Sequence, residues 1–481
     1  MNYSMIRYVL FRLLRIVGLL FILPLLVAII YREYDSAGVF FVLAAVSLLF
    51  GYIGSRKRPK NTVIFAKEGF SITAVAWIVM SLMGALPFVI TGTIPNYIDA
   101  LFETISGFTT TGGSILTTLD GIEYSVQFWR TFTHWIGGMG VLVFLLAVVP
   151  LADGYSMHLM RAESPGPVVG KIVPKVKDTA KILYLIYLGI TLAEIICLII
   201  SGLPVYDAIT ISFSTVGTGG FAVNNAGIGG YSTVSQAVII VFMALCGVNF
   251  TVYYFLLHRK PKEAFAIEEV KYYFAVMFIA AGLISINIYR AGVLDSAHMS
   301  FHHSLFAVVS VMTTTGFGTL DFDKWPMFSK MILCILSLVG ACAGSTGGGF
   351  KFSRALITVR NVRNELNFLV HPKAIKRVYM DGHTVEGTTV KSVSAYLGLY
   401  VLTFIFSTIV VALDNFDFQT TVTSVAATLN NIGPGLGMVG PMGNYSQFSV
   451  LSKIVLMFDM LAGRLELLPI FIVIKLKTWK R

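Results

Sequence analysis

Long apolar runs separated by short polar connections dominate the chain. Residues 8–30 and 37–54 form a first pair, joined at Arg32-Glu33 and followed by the basic loop Ser55-Arg56-Lys57-Arg58-Pro59-Lys60. Both runs are near the roughly 20 apolar residues that a transmembrane helix requires. From there one unit recurs four times: a long apolar helix, a short apolar segment, a loop of hydroxyl or amide residues closing on glycine, and a second long helix. In the first unit these are 69–91, 95–107, Phe108-Thr109-Thr110-Thr111-Gly112-Gly113-Ser114 and 126–150. In the second they are 179–202, 204–213, Ser214-Thr215-Val216-Gly217-Thr218-Gly219-Gly220-Phe221 and 233–257. The third has 271–293, 299–312, Thr313-Thr314-Thr315-Gly316-Phe317-Gly318 and 327–358. The fourth has 393–413, 417–429, Asn430-Asn431-Ile432-Gly433-Pro434-Gly435-Leu436-Gly437 and 448–474.

A fixed-period repeat of this kind outweighs the ordinary meaning of any one Thr-Gly loop. Similarity between copies is local, as in Tyr97-Ile98-Asp99-Ala100 against Tyr206-Asp207-Ala208, so the repeats are divergent. The pattern predicts an all-α polytopic membrane protein with an N-terminal transmembrane helix pair (1–66) and four parallel helix–pore-loop–helix repeats. The repeats occupy 67–165, 166–262, 263–372 and 373–481.

Composition agrees: 56% of the 481 residues are hydrophobic and 13% charged, about half the charged share of soluble domains. The net charge of +11 does not indicate nucleic acid, because the basic residues are confined to alternate connections. These are Arg56 to Lys67, Arg161 to Lys181, Arg259 to Lys271, Lys351 to Lys391, and Lys475 to Arg481. The other connections (92–124, 203–232, 294–323 and 414–447) are acidic or neutral, with Asp99, Glu103, Asp120 and Glu123 in the first. The positive-inside rule makes the basic set cytoplasmic, with both termini inside and all four Thr-Gly loops outside. Arg7 and Arg12 precede the first apolar run, but no small-x-small cleavage site follows, so that run reads as a retained helix. Cys197, Cys246, Cys334 and Cys342 lie in apolar segments without metal-ligand spacing. No nucleophile–base pair, paired catalytic carboxylates or phosphate-binding glycine motif is evident, so an enzyme is not expected.

The loops suit ion conduction. Irregular backbone within a bilayer is tolerated where it is buried in protein or lines water. Glycine permits positive φ, so successive carbonyls can share a direction, and carbonyl rings can replace a cation's hydration shell. The four loops are expected to meet at one axis and line an ion pathway. The bland alternative is four helix C-caps, since glycine is the usual residue just past a helix end. In the third unit, Gly340-Ala341-Cys342-Ala343-Gly344-Ser345-Thr346-Gly347-Gly348-Gly349 should break its helix mid-membrane, as each glycine costs about 1 kcal/mol relative to alanine. The competing reading is close helix packing through small residues. Arg464 lies inside an apolar helix and is a functional candidate on that ground; pairing with Asp459 or Glu466 is the structural alternative. Glu194 and His134 read as packing residues, and Asp99 and Asp207 as residues that position the short helices.

The four units, the paired N-terminal helices, Trp135-Ile136-Gly137-Gly138-Met139-Gly140 and Asn431-Ile432-Gly433-Pro434-Gly435-Leu436-Gly437 resemble the superfamily of K+ transporters (Trk/Ktr/HKT). The resemblance covers essentially the whole chain and is to the bacterial TrkH/TrkG group rather than the shorter Ktr group. It implies potassium uptake across the bacterial inner membrane through a pseudo-tetrameric, gated pore within one chain. It also implies a homodimer in membrane lipid and a cytosolic TrkA-type ring of NAD/ATP-binding regulatory subunits. Nucleotide would act only through that separate chain, since none of its binding motifs is present here, and no covalently bound cofactor is expected. The implied filter is Thr110, Thr111, Gly112, Thr218, Gly219, Gly220, Thr314, Thr315, Gly316, Asn431, Ile432 and Gly433. K+ is expected at Thr110, Thr111, Thr218, Thr314, Thr315, Asn431 and Ile432, and the key glycines are Gly112, Gly219, Gly316 and Gly433. Glycine at all four, rather than serine at the first, favours K+ over Na+ in this family. The implied gate comprises Gly344, Gly347, Gly348, Gly349 and Lys351 on an intramembrane loop, with Arg464 facing the pore. The alternative function is an H+- or Na+-coupled secondary potassium symporter.

Overall fold

The computed structural model describes residues 1–61, 64–140, 176–372 and 377–475. Parts of the predicted pattern lie outside these residues: 62–63 in the first basic connection, the far end of the first repeat's second helix (141–150), the basic connection from Arg161 to residue 175, residues 373–376, and the basic tail after Lys475. The described chain is helical apart from a two-residue hairpin, Tyr379–Met380 against His383–Thr384. Among the described residues six helices are long and apolar enough to cross a membrane, or seven if one bent pair is a single span.

The N-terminal pair forms as expected, with Tyr3–Ile30 as one span packed on Tyr34–Gly54. Glu33, between them, accepts the backbone N–H groups of Tyr124 (2.6 Å) and Ser125 (2.9 Å). It thereby satisfies two open donors at the start of the first repeat's second helix and complements that helix's dipole.

Each repeat opens with a long helix: Ala66–Gly84 continued by Leu86–Ile90, then Val176–Ile200, Glu268–Arg290 and Gly387–Val411. Phe41, Leu49, Leu185, Ile196, Phe406 and Ile409 are exposed on the periphery, as suits a lipid-facing surface. Inside this wall sit four short pore helices, Tyr97–Phe108, Val205–Val216, Ala297–Met312 and Phe418–Leu429. Three begin on side-chain caps. The carbonyl of Asn96 accepts from Ile98 N–H (2.8 Å), the Ser296 hydroxyl from Met299 N–H (3.5 Å), and the Asp417 carboxylate from Thr420 N–H (2.9 Å). The Thr420 hydroxyl and amide hold the Asp417 carboxyl below the usual carboxylate range. The second pore helix starts after Pro204 without a side-chain cap.

The second helices depart from expectation. The sequence predicts a break only in the third repeat, yet none of the four runs unbroken over its expected length. The first ends at Gly138, and the second breaks between Cys246 and Phe250 with a bend of 92°. The third stops at Val339 and resumes at Phe352, while the fourth stops at Arg464 and resumes at Leu468 through Glu466 and Leu467, both at positive φ. The breaks are tied to one another: Phe250 N–H donates to the Gly344 carbonyl (3.0 Å) and Cys342 N–H to the Gly247 carbonyl (3.1 Å). Tertiary hydrogen bonds thus satisfy backbone groups that the helices release.

Candidate functional site

All four pore helices end in the same cap. The residue after each helix is followed by one in the left-handed region: Thr110 (φ 56°), Thr218 (56°), Thr314 (58°) and Asn431 (54°). The N–H of each bonds three residues back, to Gly107, Thr215, Val311 and Thr428, at 3.0–3.2 Å. The next N–H, of Thr111, Gly219, Thr315 or Ile432, bonds five residues back at 2.8–2.9 Å. This is a Schellman motif with threonine or asparagine where glycine is usual. Such residues enter left-handed backbone at a cost, and two are locally braced. Thr110 and Thr218 donate their hydroxyls to the carbonyls of Thr109 and Gly217, at 2.7 Å each. The loops are therefore C-caps, as the bland reading has it, but glycine is not the capping residue.

The glycines come two positions later: Gly112 (φ 80°), Gly220 (81°), Gly316 (84°) and Gly433 (85°). The backbone corrects the register of the second loop. Gly220, not Gly219, matches the other three; Gly219 stands in line with Thr111, Thr315 and Ile432. Packing gives the same answer. A Cβ on Gly112 would fall within 3.0 Å of the Gly219 carbonyl, one on Gly220 against Thr315 O, one on Gly316 against Ile432 O, and one on Gly433 against Thr111 O. The contacts run from repeat 1 to 2, 3, 4 and back to 1. The four loops thus close into a ring in which each glycine abuts the next loop's carbonyl, and a side chain at any of them would strike it. All twelve loop residues named from the sequence are brought together here.

One side of this ring opens into a cavity of ≈ 300 Å³ whose lining includes Gly112, Gly220, Gly316, Gly433, Arg130 and Tyr445. One buried network at this mouth is not apparent in the sequence. Arg130 Nε donates to Glu103 Oε1 at 2.6 Å, both side chains being almost wholly buried. Arg130 also reaches the Ala222 carbonyl (2.8 Å) and lies over the Phe221 ring (3.7 Å), so it links repeats 1 and 2. Glu103 is thus neutralised inside the protein and does not belong to the exposed acidic loop in which its sequence position puts it. The available signal was its place in a short apolar segment, where an ionised carboxylate needs a partner. Asp99 pairs with Lys453 at 2.7 Å, and Asp207 accepts the Tyr231 hydroxyl at 2.9 Å.

The Gly340–Phe350 loop passes across the other side of the ring, against Thr313, Thr314 and Asn430. Gly348 N–H donates to Thr314 Oγ1 at 2.6 Å. A Cβ on Gly347 would lie 2.8 Å from the Thr313 carbonyl, and one on Gly348 would lie 2.6 Å from that of Asn430. The loop is anchored at both ends by Glu269, whose Oε1 accepts the N–H groups of Ala343 and Ser353, each at 2.8 Å. Nothing in the sequence marks this glutamate, which lies in the first turn of the third repeat's opening helix. Buried Lys351 donates to the Gly347 carbonyl, so it belongs to the loop and not to the basic surface that follows. Gly344 lies aside, against Asn249 at the second repeat's break. Arg464 joins these parts: it donates to Thr346 O (2.7 Å), Gly138 O (2.7 Å), Gly137 O and Thr110 Oγ1 (3.3 Å). Of its two suggested partners, Glu466 pairs with Arg354, and Asp459 accepts from Ser407 at 2.8 Å.

Comparison with known proteins places this architecture. The family model for TrkH, described as a cation transport protein, matches residues 38–478. The chain belongs to the TrkH family. The Trk system potassium uptake protein TrkH of Salmonella typhimurium (strain LT2) is 35% identical over 97% of this chain and 98% of its own length. The Trk system potassium uptake protein TrkG of Escherichia coli (strain K12) is 32% identical over 95% of this chain and 94% of its own. The crystal structure of the potassium transporter TrkH from Vibrio parahaemolyticus superposes with a TM-score of 0.89 at 30% identity, covering all of both chains.

Proposed function

We propose that this chain is the membrane subunit of a Trk-type potassium uptake system and conducts K+ through the loop ring. The carrying observation is the closure of that ring, with Thr111, Gly219, Thr315 and Ile432 each presenting a carbonyl to the preceding loop's glycine. Backbone oxygens from four sides suit a monovalent cation better than a single charged side chain would, since they exchange hydration without trapping the ion. Threonine hydroxyls at positions 110, 218 and 314 supply further oxygens at the inner end. The relatives named above as potassium uptake proteins support K+ as the cargo.

The Gly340–Phe350 loop is the gate in this reading, and Arg464 its clasp. Basic connections face the cytoplasm, where a homodimer receives the nucleotide-binding regulatory ring. Several basic residues there are engaged internally: Arg354 pairs with Glu466 and lies over Tyr396 (4.1 Å), and Arg360 pairs with Glu268 (2.6 Å).

The first test is flux into proteoliposomes containing this chain alone, under K+, Rb+ and Na+ gradients, with and without a pH gradient. K+ and Rb+ flux without a proton gradient is the expected result. Flux that requires the proton gradient would replace the channel by the coupled symporter. The loop gives a second test. Alanine at Gly347 or Gly348 does not fit beneath the ring, because its Cβ would press on the Thr313 or Asn430 carbonyl. Either substitution should displace the loop and raise basal flux several-fold, by the roughly 1–3 kcal/mol of an overpacked contact, at unchanged K+/Na+ preference. Unchanged basal flux in a well-folded variant would show that the loop does not gate.

A further inference from the structure

The four joints of the ring are not equal. At the joint from repeat 4 to repeat 1, a Cβ on Gly433 would lie 2.5 Å from the Thr111 carbonyl oxygen, with the Gly112 and Gly113 backbone at 2.7 and 2.9 Å as well. This is also where the chain's last repeat meets its first. One side chain spans it. Tyr445, 2% exposed, sits on the extended connection after the fourth loop. Its backbone N–H donates to the Ser114 carbonyl of repeat 1 at 2.8 Å. Its hydroxyl donates to the Gly433 carbonyl of repeat 4 at 2.7 Å. Its ring lies between Phe102 (5.3 Å) and Phe448 (5.4 Å), and a Cβ on Gly113 would be 2.9 Å from its edge. Among the described residues, Gly433 is the one of the four ring glycines whose carbonyl accepts a side-chain hydrogen bond. The phenol is therefore a strut of fixed length between the wall of repeat 1 and the carbonyl of repeat 4's ring glycine.

We infer that Tyr445 is a specificity-determining residue: its hydroxyl fixes the Gly433 carbonyl where the last repeat meets the first and so sets how small a cation the ring will accept. This rests on the proposal that the ring is the K+ pathway. The physical basis is rigidity. A ring discriminates against a smaller ion to the extent that its oxygens resist closing in on it. A carbonyl bonded to a rigid, fully packed phenol is held in place. Without that bond, the Gly433 carbonyl is freer to follow a smaller ion.

The test is Tyr445→Phe, which keeps the ring packed and removes only the hydroxyl. Permeabilities of K+, Rb+, Na+ and Li+ are measured in proteoliposomes beside the unaltered chain. The expected result is a rise in Na+ and Li+ permeability relative to K+ of roughly fivefold, the factor that one neutral hydrogen bond represents, with Rb+/K+ and the K+ rate nearly unchanged. An unaltered permeability series overturns the inference. So does a reduced K+ rate with unaltered ratios, which would make Tyr445 a residue of conduction or folding. Phe448→Leu serves as a packing control: it loosens the same ring without touching the hydroxyl, and an equal change in ratios there would assign the effect to packing and overturn the role of the hydroxyl. If the unaltered chain itself passes no K+, the underlying reading fails instead, and the two failures are separable.

Discussion

Gly220→Ala should abolish K+ uptake, and no second substitution at a neighbouring side chain should restore it. Gly220 sits at φ 81° with the Thr315 carbonyl where a Cβ would go. Alanine pays for left-handed backbone and overlaps a main-chain oxygen that has nowhere to retreat, because it belongs to the ring. Gly219→Ala should also impair uptake, for a different reason. Gly219 is not among the positive-φ glycines, and its Cβ would strike the imidazole of His134. That obstacle is a side chain, and His134→Ala removes it. The double variant Gly219→Ala/His134→Ala should therefore recover a measurable part of the flux, while Gly220→Ala/His134→Ala should not. Rb+ uptake in cells lacking other K+ uptake, normalised to folded protein, reads the difference. Equal rescue of both would mean that the register assigned here is wrong. His134 also bonds the Ser214 hydroxyl (3.2 Å) and stacks on Phe221 (4.1 Å), so recovery is expected to be partial.

Arg464→Ala should raise basal flux by roughly tenfold, the scale of one charge-assisted hydrogen bond. The guanidinium holds the loop at Thr346 and the ring at Thr110, and is itself held by the carbonyls of Gly137 and Gly138. Removing it releases the clasp and takes a positive charge from beneath a cation pathway. Both effects have the same sign. Arg464→Lys should be intermediate, since an ammonium keeps the charge but cannot span two directions as a planar fork does. Flux from purified, reconstituted variants is the measurement. A fall in yield without any gain in flux per folded molecule would make Arg464 a structural residue.

Much of the fold was legible because the repeat is written in features that physics requires. Apolar length marks the spans, and segments too short to cross mark the pore helices. The expected 95–107, 299–312 and 417–429 correspond to Tyr97–Phe108, Ala297–Met312 and Phe418–Leu429. The second pore helix was expected to end at 213 and in fact runs to Val216. Those three residues explain the register error. Gly217-Thr218-Gly219-Gly220 offers three glycines, and only the helix end, from which the cap is counted, picks out Gly220. The helix ends at Gly138, Cys246 and Arg464, each at or beside a glycine, are hidden for another reason. A lone glycine or pair in an apolar run reads as helix packing, and what interrupts these helices is hydrogen bonding to other repeats, such as Phe250 to Gly344. The Glu103–Arg130 pair and the Glu269 anchor were equally out of reach, because their partners lie 27 and more than 70 positions away in the chain.

A channel assembled from four identical chains makes every substitution four times over. Here each loop belongs to one chain and is altered once. The cost of a poor residue at one quadrant is then about a quarter of what strict symmetry would charge, and the other three loops keep the ring closed while it drifts. Asn431 and Ile432 in the fourth loop, against threonines in the first and third, are the mark of that latitude. Single-quadrant libraries at these two positions should consequently hold many more working sequences than the same library forced onto all four loops at once.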